Sequence, residues 1–450
     1  MHTTPDRNRA EIVVDLDAIA DNVATLKSRA DCPLMAVVKA DGYGHGLVPS
    51  ARAAVRGGAD ILGVTVIEEA LALRRAGIGV PILAWLTGSG EDLTEALTQD
   101  VELSAASIWM LEEIAEAGQA CGHVARVHLK VDTGLSRGGA HMSDWPDLVA
   151  AAAAAQEVGQ LKVGGIWTHL AYADTPGHST ITAQLAAFDD AVRIAARDGL
   201  GDVPKHVANS AATLTLPDAH YDMVRPGIAV YGLDPMGGDP AAYGLRPAMT
   251  VQAAVTLVKR VPAGSGVSYG HEYTTSKPST LALIPVGYAD GVPRNATNVG
   301  PVWLAGARRT IAGRVCMDQF VVDVGDDPVQ AGETAVLWGP GTAGEPTAQD
   351  WATALHTIHY ELVSRVGGRL ARRYLSSVPE EVPDPASQPV SGPEPGSSAG
   401  PGALEVLSGA AVGLVAVGAT ATVLARRIAA FRQRDARADT IFGRENRTPR

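Results

Sequence analysis

Between residues 11 and 231 the sequence alternates between two kinds of segment. Short runs rich in β-branched residues are separated by Ala- and Leu-rich stretches in which apolar residues recur with helical spacing. Residues 67–76, 108–117 and 183–197 are examples of the predicted helices. The runs predicted as strands are residues 34–39, 61–66, 82–85, 102–105, 127–131, 163–168, 206–208 and 223–224.

This alternation fixes the fold class. A helix that connects two successive strands makes those strands parallel, and eight such strands fit a closed barrel. We therefore predict an α/β fold, with a TIM-type (β/α)8 barrel over residues 10–240. An open doubly wound sheet is the alternative, but the glycines at 42, 44 and 46 match a dinucleotide-binding motif only in part.

After residue 245 the pattern changes to strands separated by glycine and proline turns. Residues 249–258, 281–285, 320–324 and 335–338 are predicted strands, which indicates a mainly β C-terminal domain over residues 241–377. Residues 378–402 contain seven prolines together with Ser, Gly and Glu. That composition predicts a disordered linker.

The segment that follows the linker is predicted as an apolar helix, residues 403–430, with a basic tail to residue 450. Residues 406–425 carry no charge and are long enough to cross a bilayer. Only eight of these twenty residues are Val or Leu, so the segment is a weak membrane span. Membrane association stays open, as does a helix that lies on a surface, pairs with another helix or has no role.

Charge and cysteine content limit the partners and the compartment. The formal net charge of −12 argues against nucleic acid as a partner, because phosphate binding needs a basic face. The three cysteines form no C-x-x-C pair, and the first nine residues are polar. We therefore expect a cytoplasmic protein in a reducing compartment, with no metal site.

A lysine at the end of the first barrel strand is the leading candidate for chemistry. Lys39 ends an apolar run, and burial of an ammonium group is costly. A desolvated lysine has a lowered pKa and becomes a nucleophilic amine suited to a Schiff base. The alternative is a structural lysine whose ammonium group extends into solvent at the strand end.

Polar residues follow the other predicted strands as well. In a barrel of this kind catalytic groups gather at the C-terminal ends of the strands, and a ligand phosphate commonly sits on the loops after the seventh and eighth strands. Ser210 and Gly227 fall on those two loops, where backbone N–H groups and a hydroxyl would bind a phosphate. The polar residues at the strand ends include Lys130, Arg137, Thr168, His169, Asn209, Ser210 and Arg225.

The segment around Lys39 closely resembles the cofactor motif of alanine racemases, which depend on pyridoxal 5′-phosphate. The resemblance extends from about residue 11 to residue 374. It is carried by residues 127–138, 165–171, 206–212, 224–232, 266–270, 285–291, 313–319 and 357–361.

The resemblance implies a barrel with a β domain and a homodimer with shared active sites. It also implies interconversion of L- and D-alanine through a pyridoxal-phosphate external aldimine, which supplies D-alanine for peptidoglycan. A broader racemase that also acts on serine, or a non-catalytic cofactor-binding barrel, is the alternative. A fold-sharing decarboxylase is disfavoured because such enzymes place a carboxylate at the ring nitrogen.

Four residues take catalytic roles through this resemblance. Lys39 would carry the cofactor and act as the base for the D enantiomer. Tyr269, supplied by the second subunit, would be the opposing base, with His169 as its hydrogen-bonding neighbour. Arg225 would face the pyridine nitrogen, and because a guanidinium only donates, that nitrogen would stay unprotonated.

Further positions match the family's binding residues. Tyr43, Asn209, Ser210, Gly227, Ile228 and Tyr360 would bind the cofactor, most of them at its phosphate. Arg137 would contact the phenolic oxygen and the substrate, and Lys130 matches a lysine that is carbamylated in some members. Met317 and Tyr288 would contact the substrate, while the entrance corridor would include Asp174, Arg294 and Tyr288. The sequence departs from the family pattern at Gly42, Leu170 and Ala371.

Overall fold

Seven parallel strands form the sheet of the first domain in the computed structural model, which describes residues 9–378. Their order in the sheet follows their order in the chain. These strands are β2 (Met35–Val37), β3 (Ile61–Val64), β4 (Ile82–Ala84), β5 (Val101–Ala105), β6 (Ala125–Lys130), β7 (Leu161–Trp167) and β8 (Lys205–His206). The first strand in the chain, β1 (Ala10–Asp15), lies elsewhere.

The segment at Val224 closes this sheet into a barrel. Val224 forms a parallel bridge with Leu34, and Met35 N donates to Val224 O at 2.8 Å. On the other side, Arg225 N donates to Ala208 O at 2.8 Å. The predicted eighth strand therefore has the right position and forms one bridge, and Val37 N also donates to Pro226 O at 3.0 Å.

Helices connect most of the barrel strands, as the alternating pattern predicts. The helices of this domain are α1 (Leu16–Ala30), α2 (Lys39–Tyr43), α3 (Leu47–Arg56), α4 (Ile67–Arg75), α5 (Thr94–Thr98), α6 (Ile108–Cys121), α7 (Trp145–Glu157), α8 (Ser179–Arg197) and α9 (Ser210–Thr215). Of these, α2 is a single turn whose central residues are left-handed.

The second domain is mainly β, as expected. A six-stranded sheet has the order β15-β14-β17-β9-β1-β18, beside a three-stranded sheet β10-β13-β16 and a two-stranded sheet β11-β12. The strands are β9 (Met249–Ala254), β10 (Leu257–Val261), β11 (Gly266–Val267), β12 (Tyr273–Thr274), β13 (Ser279–Ile284), β14 (Pro301–Leu304), β15 (Ala307–Thr310), β16 (Phe320–Gly325), β17 (Thr334–Trp338) and β18 (Ala371–Leu375). Two helices, α10 (Ala348–Leu355) and α11 (His359–Arg365), complete it.

Two details of this domain differ from the sequence analysis. The predicted strand 249–258 is two strands in two sheets, because Val255 N donates to Glu333 O whereas Thr256 N donates to Leu283 O. Residues 10–15, expected within the barrel domain, form β1, which pairs with β9 and β18 of the second domain. The chain thus starts in one sheet and enters the barrel afterwards.

The segments expected beyond the catalytic region lie outside the described residues. They are the predicted linker from residue 379 onward, the apolar segment 406–425 and the basic tail. Among residues 9–378, no helix is both long and apolar enough to span a bilayer.

The position of β1 gives a stability prediction. Val14 in β1 is fully buried, whereas Val158, at the C-terminal end of α7, is half exposed. Val14→Ala should lower the free energy of unfolding by roughly 2 kcal/mol, because it removes two buried methyl groups and leaves a cavity. The matched change Val158→Ala should alter it by less than about 0.5 kcal/mol. Urea unfolding of both variants measures the difference, and equal shifts would contradict the placement of β1.

Candidate active site

A cavity of about 240 Å³ lies at the C-terminal ends of the barrel strands. All ten residues predicted to bind the cofactor line it: Lys39, Tyr43, Arg137, His169, Asn209, Ser210, Arg225, Gly227, Ile228 and Tyr360. Lys130 also lines this cavity. The sequence analysis missed three further lining residues, Val37, Trp85 and Trp167. Trp85 ends a predicted strand, and Trp167 precedes the last residue of another. Their places at strand ends could have identified them as residues of the site.

Lys39 is placed by the unusual backbone that follows it. Strand β2 ends at Val37, two residues earlier than predicted, and Ala40, Asp41 and Gly42 have φ values of 53°, 55° and 62°. Left-handed backbone is unfavourable for residues with a Cβ and persists only where the surroundings fix it. Here Ala40 N donates to the Glu69 carboxylate at 2.6 Å. The lysine therefore opens a restrained turn rather than ending a strand.

The Asp41 side chain holds the same turn from the other side. Its carboxylate accepts from Leu47 N at 2.8 Å and pairs with Arg372 at 2.7 Å. Arg372 lies in β18 and also donates to Gly44 O at 3.0 Å. The second domain thus contributes directly to the position of Lys39.

The surroundings of Lys39 favour its neutral amine. Burial lowers the pKa of Lys39, the positive charge of Arg137 lowers it further, and Glu69 opposes both effects. The Nζ atom lies 5.9 Å from the centre of the Trp85 ring and 6.0 Å from that of Tyr43. An amine with a lowered pKa in such a pocket is a ready nucleophile for a carbonyl group.

A polar pocket for an anion lies beside the loops after the last two barrel strands. The Ser210 hydroxyl accepts from Gly227 N at 2.7 Å and from Ala229 N at 3.3 Å. A Cβ atom at Gly227 would lie 2.3 Å from the hydroxyl of Tyr43, so any other residue here would require Tyr43 to shift. The hydroxyls of Tyr43 and Ser210, with the backbone of Gly227 and Ile228 at the same cavity, are groups suited to a phosphate.

Arg225 is held by buried acceptors on the barrel side of the cavity. Its guanidinium donates to Thr168 O at 2.8 Å, to Val207 O at 3.2 Å and to His206 Nδ1 at 3.2 Å. It also lies 3.4 Å from His169 Nδ1. Burial lowers the pKa of Arg225 to about 9, and the guanidinium remains protonated at neutral pH.

A hydrogen-bonded chain continues from Arg225 through the barrel interior. Because the guanidinium only donates, His206 Nδ1 accepts, and the proton of His206 is on Nε2. That proton is donated to His128 Nδ1 at 2.8 Å, and His128 Nε2 donates in turn to Glu102 at 2.8 Å. The chain therefore ends on the carboxylate of Glu102, which also pairs with Arg126 at 3.3 Å. Sequence reasoning did not single out His128 or Glu102, although charged residues within buried strands are a recognisable signal.

Positive charge dominates the cavity. Lys130 Nζ lies 4.3 Å from the centre of the Trp167 ring, and burial, followed by the charges of Arg225 and Arg137, lowers the pKa of Lys130 to about 8. Burial and the same arginines lower the pKa of His169 to about 3, so this imidazole is neutral. A cavity lined by two lysines and two arginines is suited to an anionic ligand.

The remaining predicted site residues lie outside this cavity. The side chains of Tyr269, Met317 and Tyr288 are 72%, 53% and 40% exposed, all in the second domain. Their segments are joined, since Tyr288 N donates to Cys316 O at 3.1 Å and Ser268 Oγ donates to Arg314 O at 2.7 Å. Large apolar side chains exposed together indicate a surface that another molecule covers. Asp174 and Arg294 also lie outside the cavity.

Family comparisons cover nearly all of the described residues. Residues 14–235 match the family described as "Alanine racemase, N-terminal domain", and residues 248–374 match "Alanine racemase, C-terminal domain". The alanine racemase of Salinispora tropica is 59% identical over 367 residues, which is 81% of this chain and 98% of that relative. The alanine racemase of Frankia casuarinae is 57% identical over 370 residues, or 82% and 96% of the two chains.

Solved structures agree with this result. Alanine racemase from Streptomyces lavendulae superposes with a TM-score of 0.82 at 52% identity, over 83% of this chain and 98% of that one. Alanine racemase from Streptomyces coelicolor gives a TM-score of 0.80 at 53% identity, over 82% and 98%. The fold, the lysine cavity and both domain matches agree, and the chain belongs to the alanine racemase family of pyridoxal-phosphate-dependent isomerases.

Proposed function

We propose that this chain interconverts L- and D-alanine with pyridoxal 5′-phosphate and so supplies D-alanine for peptidoglycan. The observation that carries the proposal is the cavity itself, where a desolvated lysine, an anion pocket and a buried arginine line one space. Each of the three matches one part of the cofactor: its aldehyde, its phosphate and its ring nitrogen. The family relationship supports the same reaction.

The residues of the cavity fit the cofactor part by part. Lys39 would bind it covalently, while Tyr43, Ser210 and the backbone of Gly227 and Ile228 would bind the phosphate. Asn209 and Tyr360 would complete the pocket, with Arg137 at the phenolic oxygen. When bound, the cofactor supplies an electron sink that acidifies the α-hydrogen of the amino acid.

Arg225 would limit how strongly the cofactor ring withdraws electrons from the α-carbon. A guanidinium keeps its protons at neutral pH and has no acceptor lone pair, so at the ring nitrogen it can only donate a hydrogen bond. The chain through His206 and His128 to Glu102 would hold Arg225 in place. An unprotonated ring favours return of the proton to the α-carbon, which suits racemisation. A decarboxylase of the same fold would need a carboxylate in this position.

Racemisation requires two groups on opposite faces of the α-carbon. Lys39 would remove or return the proton on the face used by D-alanine. Tyr269 lies exposed on the second domain, so we infer that Tyr269 of the partner subunit serves the opposite face in a head-to-tail dimer. The neutral His169 would hydrogen-bond this phenol.

The preferred substrate would be small. Tyr360 lines the cavity, and Tyr288 would narrow its entrance together with Asp174 and Arg294 in the dimer. Arg137 and the backbone of Met317 would bind the substrate carboxylate. Serine is therefore the most plausible second substrate, and a non-catalytic barrel is disfavoured because the second domain is present. The free cysteines of the described region suit a cytoplasmic site of action.

An assay on the purified protein tests the proposal directly. The protein should be yellow from lysine-bound cofactor and should racemise alanine faster than serine or any larger amino acid. Lys39→Ala should lose both colour and turnover, whereas Lys162→Ala, at an exposed lysine, should keep both. Borohydride reduction followed by peptide mapping should mark Lys39. A label on another lysine would refute the assignment, and faster turnover of a larger side chain would refute the substrate.

Tyr269→Phe tests the second base. Racemisation should fall about 10²–10⁴-fold in both directions while cofactor stays bound, because a positioned acid–base group is lost. Exchange of the α-hydrogen with solvent should survive better from D-alanine, since Lys39 is still available to that enantiomer. Tyr243→Phe, far from this cluster in the chain, is the control and should retain activity.

A mixed dimer tests whether the site is shared. One chain would carry Lys39→Ala and the other Tyr269→Phe, so that one of the two composite sites would keep both groups. Mixing the two inactive proteins should then restore part of the activity. A verified heterodimer without any recovery would refute the shared site.

The lowered pKa of Lys130 predicts a pH-dependent modification. Neutral amine adds to CO₂, giving a carbamate and releasing one proton, whereas ammonium does not react. Since the pKa of Lys130 is about 8, carbamate occupancy at fixed CO₂ should rise as pH rises through 8 and vanish well below it. The product would replace a positive charge beside Arg137 with a negative one. A ¹³C resonance from ¹³CO₂-equilibrated protein that persists in Lys130→Ala would refute this site.

A further inference from the structure

The turn that presents Lys39 is held in a conformation that its own residues disfavour. Residues 40–44 are five consecutive residues with positive φ, and three of them, Ala40, Asp41 and Tyr43, carry a Cβ. Such a run needs restraints from outside the turn. The salt bridge between Asp41 and Arg372 restrains the outer side of the turn, and other contacts must restrain its inner side.

His45 lies against the inner side of the turn. Its Nδ1 atom is 3.0 Å from both Gly42 O and Tyr43 O. Carbonyl oxygens only accept, so Nδ1 must carry the proton and donate to them. The ring is fully buried and stacks on Tyr231 at 4.4 Å, and the Tyr231 hydroxyl donates to Val37 O at 3.3 Å. His45 is thereby packed between the end of β2 and the turn.

The other nitrogen of His45, Nε2, needs a hydrogen-bond partner of its own. Burial lowers the pKa of His45 to about 4, so the ring is neutral and Nε2 presents a lone pair. This atom is buried and has no hydrogen-bond partner within residues 9–378. The indole Nε1 of Trp338 is in the same situation, with an N–H group to donate. Buried polar atoms without partners are rare and call for a specific explanation.

These two atoms belong to residues that line one small cavity. Its volume is about 10 Å³, and its other lining residues are mostly apolar: Tyr231, Leu233, Pro247, Met249, Gly339, Ala348 and Val363. That volume is the space needed by one water molecule, which requires at least two polar partners. Here the partners are complementary, because one donates and the other accepts.

We propose that His45 is a positioning residue for the lysine turn, and that one buried water molecule joins its Nε2 atom to Nε1 of Trp338. The water accepts from the indole N–H and donates to the imidazole, so both nitrogens gain a hydrogen-bond partner. Trp338 ends β17 of the second domain and packs edge-on against Trp351 at 5.5 Å. Through this water the second domain supports the inner side of the turn, as Arg372 supports its outer side.

The turn has little room to shift within this arrangement. A Cβ atom on Gly44, where φ is 82°, would lie 1.9 Å from Val363 O in α11. This contact keeps α11 against the turn whether or not the water is present. Loss of the water would weaken only the hold on His45, and with it the hydrogen bonds that His45 makes to the turn. The consequence falls on Lys39 and on the Tyr43 hydroxyl, which both line the cofactor cavity.

Three variants separate the two contacts of His45. Trp338→Phe removes only the indole donor. His45→Asn keeps an N–H close to the position of Nδ1 for the two carbonyls but lacks Nε2. His45→Phe loses both contacts. Trp109→Phe, at a partly exposed tryptophan of α6, is the matched control.

The first measurement is a high-resolution crystal structure of the full-length protein with cofactor. It should show one water within hydrogen-bonding distance of His45 Nε2 and Trp338 Nε1, and this water should be lost or displaced in Trp338→Phe. Clear density for both rings with an empty cavity between them would overturn the water. A direct bond between the two nitrogens would overturn it as well.

The second measurement is amide hydrogen exchange of residues 40–46, together with the dissociation constant for pyridoxal phosphate. Loss of one hydrogen bond corresponds to about a 3- to 10-fold change. Trp338→Phe and His45→Asn should each speed exchange and weaken cofactor binding by about that factor, and His45→Phe should do so more strongly. If His45→Phe fails to fold, the other two variants still decide. Exchange and affinity equal to those of Trp109→Phe would refute the positioning role.

Discussion

Val224 closes the barrel by hydrogen-bonding to the strand that leads to Lys39, and the site depends on this contact. The bridge to Leu34 brings Arg225 and Gly227 beside a lysine that is almost two hundred residues earlier in the chain. The contact continues past Val224, since Val37 N donates to Pro226 O at 3.0 Å. The loop with Gly227 and Ile228 that follows Pro226 therefore lies at the cavity.

The cavity that results is electrostatically unbalanced by its own side chains. Lys39, Lys130, Arg137 and Arg225 line it together, and their mutual repulsion adds to burial in lowering the pKa of Lys130 and of the neutral His169. Glu102 connects to Arg225 through His128 and His206, but its carboxylate also pairs with Arg126. The positive charge of the cavity suits an anionic cofactor, whose binding offsets the cost of holding these buried charges together.

The second domain is as much a part of the site as the barrel. Arg372 of β18 holds Asp41 and Gly44, and Trp338 of β17 lies across a small cavity from His45. Strand β1, which directly precedes the first helix, pairs with β9 and β18 of this domain. This pairing attaches the start of the barrel domain to the second domain. Tyr269, Tyr288 and Met317 of the same domain remain on the surface of one subunit.

The sequence by itself determined the local properties of this protein. Periodicity predicted the strand–helix units and the β domain, because spacing and turn glycines are properties of short segments. The family resemblance supplied the ten expected cofactor residues, and all ten line one cavity. Contacts between distant segments could not be predicted in this way. Only the tertiary structure decided that β1 joins the second domain, that residues 249–258 divide between two sheets, and that Glu102 and His128 connect to Arg225. These depend on which buried groups meet across the barrel, and no local pattern encodes the partner that a buried polar atom will find.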